Sequence, residues 1–117
     1  MARYVFLFKA ESTGAGQILL GASEAAERQV DAIQQLGGSV EVQYFVTGAH
    51  DLVLIANLPS EAASLAVSLA AEAGGFQVDT MRAFDAAELD QAQSLVPEVR
   101  DWLRGEVASA VDEGAQA

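Results

Sequence analysis

The stretch Val46-Thr47-Gly48-Ala49-His50-Asp51-Leu52-Val53-Leu54 holds the chain's single histidine beside an aspartate. An imidazole titrates near neutral pH, so His50 is chemically suited to move a proton as a general acid or base. Asp51 accepts hydrogen bonds, either from a ligand amine or from nearby backbone N–H groups as an Asx turn. Gly48 fits a turn that needs positive φ. Further along, Arg82 offers a two-donor fork to a carboxylate, with Asp79 as an internal partner or a ligand as an external one. Tyr44 lies on the more apolar parity of its segment, which predicts a core ring with its hydroxyl at the rim. Tyr44, Gly48, His50, Asp51 and Arg82 are therefore the candidate ligand-binding residues, and only His50 is a candidate catalytic group.

Many other chemistries lack their residues. Cysteine is absent, which removes thiol nucleophiles, disulfides and thiolate zinc sites. A metal at His50 would have carboxylates alone as co-ligands, so no metal is expected. Gly14-Ala15-Gly16 lacks the third glycine of a dinucleotide loop and the Lys-Ser/Thr of a P-loop. No Gly-x-Ser-x-Gly elbow or EF-hand pattern occurs, and no cofactor is expected. With 17 acidic against 6 basic side chains, the formal net charge of −11 repels phosphate backbones and anionic membrane surfaces. Neither nucleic acid nor membrane is an expected partner.

These residues need elements to position them. The 117 residues, 51% of them hydrophobic, suffice for one domain with a core. No run approaches the roughly 18–20 apolar residues of a spanning helix. Met1-Ala2-Arg3-Tyr4-Val5-Phe6 does not read as a signal peptide, and the expected location is the cytoplasm.

Arg3–Phe8 reads as a strand, and Lys9–Ala22 as a glycine-containing connection. Ser23 is placed to cap a helix carrying Ala26, Val30, Ile33 and Leu36, which Gly37-Gly38 stops. Val40–Thr47 alternates as a strand, with Val40, Val42, Tyr44 and Val46 on one face. Leu52–Leu58 follows as a continuously apolar strand. Pro59-Ser60-Glu61 opens a second helix that runs to Ala73, and Phe76–Phe84 returns as a fourth strand. The order βαββαβ predicts a ferredoxin-like α+β fold: a four-stranded antiparallel sheet with two helices on one face.

In that fold the first and third strands are central, and here both are apolar at both parities. A sheet with one face in water alternates instead. Each Leu- or Phe-sized side chain left bare forgoes about 1.5–3 kcal/mol. The second face is therefore expected to be covered, by another subunit or by the chain's own end. Residues 85–117 form that end, with eight acidic and two basic side chains. Asp85 and Glu88 fit a capping box. Leu89, Ala92, Val96, Val99, Leu103, Val107 and Val111 recur at helical spacing around Pro97, predicting two amphipathic helices or one kinked helix, with Trp102 as a docking anchor. The organisation read is a domain over 1–84 and an acidic helical tail over 85–117.

The hairpin Gly48-Ala49-His50-Asp51, the strand Tyr4-Val5-Phe6-Leu7, the stop Leu36-Gly37-Gly38 and the ending Met81-Arg82-Ala83-Phe84 together resemble the GYD-domain family. That family is named for a Gly-Tyr-Asp signature between its second and third strands. Here Ala49 follows Gly48, His50 stands in the Tyr position, and Asp51 matches the Asp. The Gly-x-x-Asp hairpin is also similar to the ligand-sensing domain of leucine-responsive regulators, which implies sheet-to-sheet pairing and a small-molecule pocket at the subunit contact. The expected function is thus a non-enzymatic small-molecule-binding or oligomerisation module, a homodimer or higher homo-oligomer, with its pocket near Gly48–Asp51. The alternative is a small cofactor-independent enzyme of the dimeric α+β barrel kind, with His50 as acid/base.

Overall fold

The computed structural model describes residues 1–116, and the side chains of all of these except Gln17 and residues 103–116. In chain order the elements are β1 (Ala2–Ala10), α1 (Ser12–Leu20), α2 (Ala22–Gln35), β2 (Ser39–Phe45), β3 (Leu52–Leu58), α3 (Glu61–Ala73), β4 (Phe76–Ala83) and α4 (Ala86–Gln116). The strands form one sheet in the order β2-β3-β1-β4, antiparallel throughout. This is the ferredoxin-like α+β arrangement, with one helix more than expected. The chain divides into two compact units, Met1–Ala83 and Phe84–Ala117.

The core of the first unit lies between the sheet and its helices. Tyr4, Phe6 and Phe8 of β1 and Leu52, Leu54, Ala56 and Leu58 of β3 are buried, and Ile33 of α2 closes over them. The alternation is strict because successive strand residues point to opposite faces. On the second face Val5, Leu7, Val53 and Ile55 are half-buried.

Local chemistry accounts for the helix ends. The second expected helix, α3, starts where Pro59-Ser60-Glu61 predicts, and the Ser60 hydroxyl caps it by accepting from the Ala63 N–H at 3.1 Å. At the end of α2 the Gly37 and Gly38 N–H groups donate to the Gln34 and Ile33 carbonyls, the paired bonds of a Schellman stop.

Three expectations need correction. The segment Lys9–Ala22, read as a connection, contains α1. Its glycines lower helix propensity, but tertiary contact outweighs them. The Glu11 N–H donates to the Gly75 carbonyl at 2.8 Å, and a Cβ on Gly14 would lie 2.5 Å from the same oxygen, so only glycine admits this approach. Ser23 is not a cap: Gly21 precedes α2, and Ser23 falls inside it.

The third correction concerns β2. Val40 pairs with Ala56, but Val42 pairs with Ile55, so Glu41 is the extra residue of a bulge. Beyond it the parity reverses. Gln43 and Phe45 share the helix side with their partners Leu54 and Leu52, while Val42 and Tyr44 join the second face. The Gln43 amide reaches the Ala26 carbonyl at 3.1 Å and Gln29 Oε1 at 2.7 Å. Tyr44, expected in the core, is 67% exposed.

The second unit is a single helix with Pro97 inside it. Proline removes the N–H that would bond the Gln93 carbonyl, yet the helix continues through it. The expected capping box is present: Glu88 N–H donates to Asp85 Oδ1 at 2.8 Å, and Asp85 N–H to Glu88 Oε1 at 3.3 Å. Leu89, Leu95, Val96, Val99 and Trp102 are exposed. The expected stripe positions Leu103, Val107 and Val111 lie outside the described side chains. Among the described residues no helix is long and apolar enough to cross a membrane.

Candidate functional site

The register of β1 decides which polar groups meet. Its second-face residues are Arg3, Val5, Leu7 and Lys9, paired with Asn57, Ile55 and Val53 of β3 and with Met81, Asp79 and Gln77 of β4. The middle of this face is apolar, and each end carries a polar cluster.

At the hairpin end, Asp51 extends the β3 side of the ladder by one residue. Its N–H donates to the Phe8 carbonyl at 2.8 Å, and its carbonyl accepts from the Val46 N–H at 2.9 Å. Its Oδ2 accepts from the Ala10 N–H at 2.8 Å and lies 3.6 Å from Lys9 Nζ. The carboxylate therefore ties the end of β1 to the hairpin, a non-local bond rather than an Asx turn. Gly48, at φ +112°, makes the turn that allows this, and no L side chain adopts that backbone readily. His50 Nε2 lies 3.7 Å from Asp79 Oδ2 across β1, an ion-pair distance beyond hydrogen-bond reach. His50 Nδ1 is shielded from solvent and has no hydrogen-bond partner among the described residues.

The opposite end holds Arg3, Glu41 and Asn57. Arg3 Nε and Nη2 grip both Glu41 oxygens at 2.9 Å, and Asn57 Nδ2 donates to Glu41 Oε1 at 2.6 Å. The Arg3 guanidinium, and after it the Asn57 amide, hold the Glu41 carboxyl below its ordinary 4.5.

Of the five candidates, Tyr44, Gly48, His50 and Asp51 gather at the hairpin end. Tyr44 does so from the second face, opposite Val53. Arg82 does not join them. It pairs with Tyr4, with its guanidinium 5.7 Å from the Tyr4 ring centre on the helix side, and it donates to the Arg3 and Ala83 carbonyls. Asp79, its expected partner, points to the other face because the two lie three positions apart on a strand of period two. Lys9 is the member that sequence reasoning missed, and Asp79 enters that reasoning only as a partner for Arg82 and not as the neighbour of His50. Lys9 carried a weak signal, since it continues the parity of Val5 and Leu7 off the end of an apolar strand.

A groove of about 580 Å³ runs beside the hairpin between Lys9, Asp51, Phe45 and the α1 residues Ile18 and Leu19. On the helix side a cavity of about 220 Å³ lies among α1, α2, α3 and the sheet. No group of three or more metal-ligating side chains occurs among the described residues.

Strand order, crossovers and the hairpin site between β2 and β3 define a ferredoxin-like α+β domain. The GYD domain family model matches residues 4–93. The chain belongs to the GYD-domain family, and the match runs past β4 into the start of α4. No curated protein and no solved structure matches the chain.

Proposed function

We propose that this protein is a non-enzymatic module that pairs through the second face of its sheet with another copy of itself. It binds a small amine-bearing molecule at the His50–Asp51 end of that contact. The observation that carries the reading is the pattern of the face: Val5, Leu7, Val53, Ile55 and Met81 form an apolar strip between two polar clusters. Each cluster contains both signs, Arg3 with Glu41 and Lys9 with Asp51 and Asp79, so the two clusters sum to a formal charge of −1 on a chain of net charge −11. Two such faces meet without the repulsion that the rest of the surface would generate.

Magnitudes support the pairing. Completing the burial of five half-exposed apolar side chains contributes about 1 kcal/mol apiece, hence about 10 kcal/mol over both copies. That is comparable with the roughly 4–15 kcal/mol of lost translational and rotational freedom. At the hairpin, Asp51 and Asp79 attract an ammonium group and Lys9 an accompanying carboxylate, so the ligand class is a small zwitterion. Catalysis by His50 is the less supported reading: Nε2 faces Asp79 and Nδ1 is shielded, leaving neither nitrogen turned toward a substrate.

Native mass spectrometry of freshly purified protein tests both parts, because it reports subunit number and retained ligand together. The expected species is a dimer or a higher multiple of the 12.2 kDa chain, with reproducible extra mass. Raising salt should strengthen association by screening the repulsion between two acidic chains. A bare 12.2 kDa monomer at all salt concentrations would overturn the reading.

A further inference from the structure

The cavity on the helix side lies across the sheet from the proposed pairing face and takes no part in it. Its wall is built by three phenylalanines, Phe8, Phe45 and Phe76, together with aliphatic residues that include Ile18 and Leu54. Phe8 and Phe76 already meet edge to face, with centroids 6.0 Å apart, the geometry in which aromatic rings attract. Arg28 of α2 lines the same cavity, is exposed, and makes no ion pair or hydrogen bond among the described residues. The remaining basic residues of the described sheet and its loops are engaged: Arg3 by Glu41, Lys9 by Asp51, and Arg82 by carbonyls and the Tyr4 ring.

We propose that this cavity is a binding site for a small aromatic carboxylate, its ring among Phe8, Phe45 and Phe76 and its carboxylate on Arg28. Size fits the class. A cavity of about 150 Å³ lined by Leu, Ile and Phe accommodates benzene. The cavity here, at about 220 Å³, has room for a ring with a two- or three-carbon arm. Apolar walls with one convergent charged group are the usual composition of a ligand pocket. Access comes from the hairpin groove, since Ile18 and Phe45 border both spaces. The parity reversal at Glu41 is what turns Phe45 inward, so the bulge contributes a wall of this site.

The test is isothermal titration of the full chain with 3-phenylpropionate and with its neutral analogue 3-phenylpropanol. The carboxylate should bind saturably, one per chain, with a Kd of about 0.1–1 mM for a ligand of this size. The alcohol should bind roughly 5–10-fold more weakly, in line with one charge-assisted contact. Arg28→Gln should bring the two affinities together. Ala71→Phe, which fills the cavity from α3, should abolish both while leaving the thermal midpoint at or above that of the parent. No saturable binding, or binding indifferent to Ala71→Phe in a folded variant, would overturn the site. Equal affinities in the parent chain would overturn the carboxylate class. Subunit number plays no part in these readouts, so failure of sheet pairing would leave this result standing.

Discussion

Asp51 Oδ2 receives the backbone N–H of Ala10 at 2.8 Å across 41 positions of sequence, so the last residue of β1, paired with Phe76 of β4 on one side, is held on its β3 side by a side chain. The bond lies where β1 leaves the sheet and turns toward α1. It also explains why an aspartate follows the turn: the residue must accept at one oxygen while its backbone continues the ladder to Phe8 and Val46. Asp51→Ala leaves the half-buried Ala10 N–H without its partner and is expected to cost about 1–2 kcal/mol. For a domain of this size that is a fall of roughly 4–16 °C in thermal midpoint. Asp51→Asn keeps an acceptor and should lose less than half as much. Thermal unfolding of both variants measures this, and equal losses would mean that the charge near Lys9, not the Ala10 bond, is what Asp51 supplies.

A matched pair of glycine substitutions tests why α1 exists. In α1, Gly16 has nothing within 4 Å of an added Cβ, whereas Gly14 would drive its Cβ to 2.5 Å from the Gly75 carbonyl. Gly16→Ala should stabilise by up to about 1 kcal/mol through helix propensity alone. Gly14→Ala should destabilise by about 1–3 kcal/mol, because backbone rather than a flexible side chain must move. Hydrogen exchange over residues 12–20 is the finer readout, protection rising in the first variant and falling in the second. The same sign for both would mean that α1 is held by propensity and not by its contact with Gly75.

Much of this architecture was legible from pattern alone. The strand candidates, the helix stop at Gly37-Gly38, the helix start at Pro59-Ser60-Glu61 and the Asp85–Glu88 capping box rest on local chemistry, and local chemistry is what a sequence displays. Two of the misreadings, at α1 and at β2, come from contacts distant in sequence. α1 depends on Gly75, about 60 positions away, which no local count of glycines reveals. The bulge at Glu41 depends on Arg3 and Asn57, and it alone moves Tyr44 out of the core and Gln43 into contact with α2. Arg82 and Asp79 were paired by nearness in sequence, whereas a strand places them on opposite faces. At the site, the hairpin residues announced themselves by type, but Lys9 and Asp79 joined only through register.

The bulge also makes stability depend on acidity. Glu41 has its folded-state carboxyl below the ordinary 4.5, through Arg3 first and Asn57 second. A group whose folded value is depressed stabilises fully above its unfolded value, and that contribution disappears as pH falls through the folded value. The difference in stability between the parent and Glu41→Gln should therefore be constant from pH 7 to about 5, then shrink as the solution is acidified below 4.5. Because Arg3 and Glu41 are in contact with solvent, added salt should also shrink it. Urea unfolding across this pH range supplies the measurement. A difference that does not shrink at all between pH 5 and pH 3 would assign the role of Glu41 to backbone geometry at the bulge rather than to its charge.

Leu7 and Ile55 decide whether the second face is an interface. Each lies in a central strand, with β1 and β3 paired through Val5–Ile55 and Leu7–Val53, so a charge introduced at either cannot escape to an edge. Leu7→Asp or Ile55→Asp in a dimer places two like charges in the middle of the contact and leaves both poorly solvated. Association should weaken by more than 100-fold, a cost of about 3 kcal/mol or more. The isolated subunit should keep its fold, because its fully buried core lies on the other side of the sheet. Leu19→Asp is the control: Leu19 is 87% exposed on α1, an equal change in charge away from this face. Light scattering coupled to gel filtration, with circular dichroism to confirm folding, separates the outcomes. Folded monomers from the two strand variants beside an oligomeric Leu19→Asp protein would establish the face as the contact. An unchanged mass in all three would locate the association elsewhere.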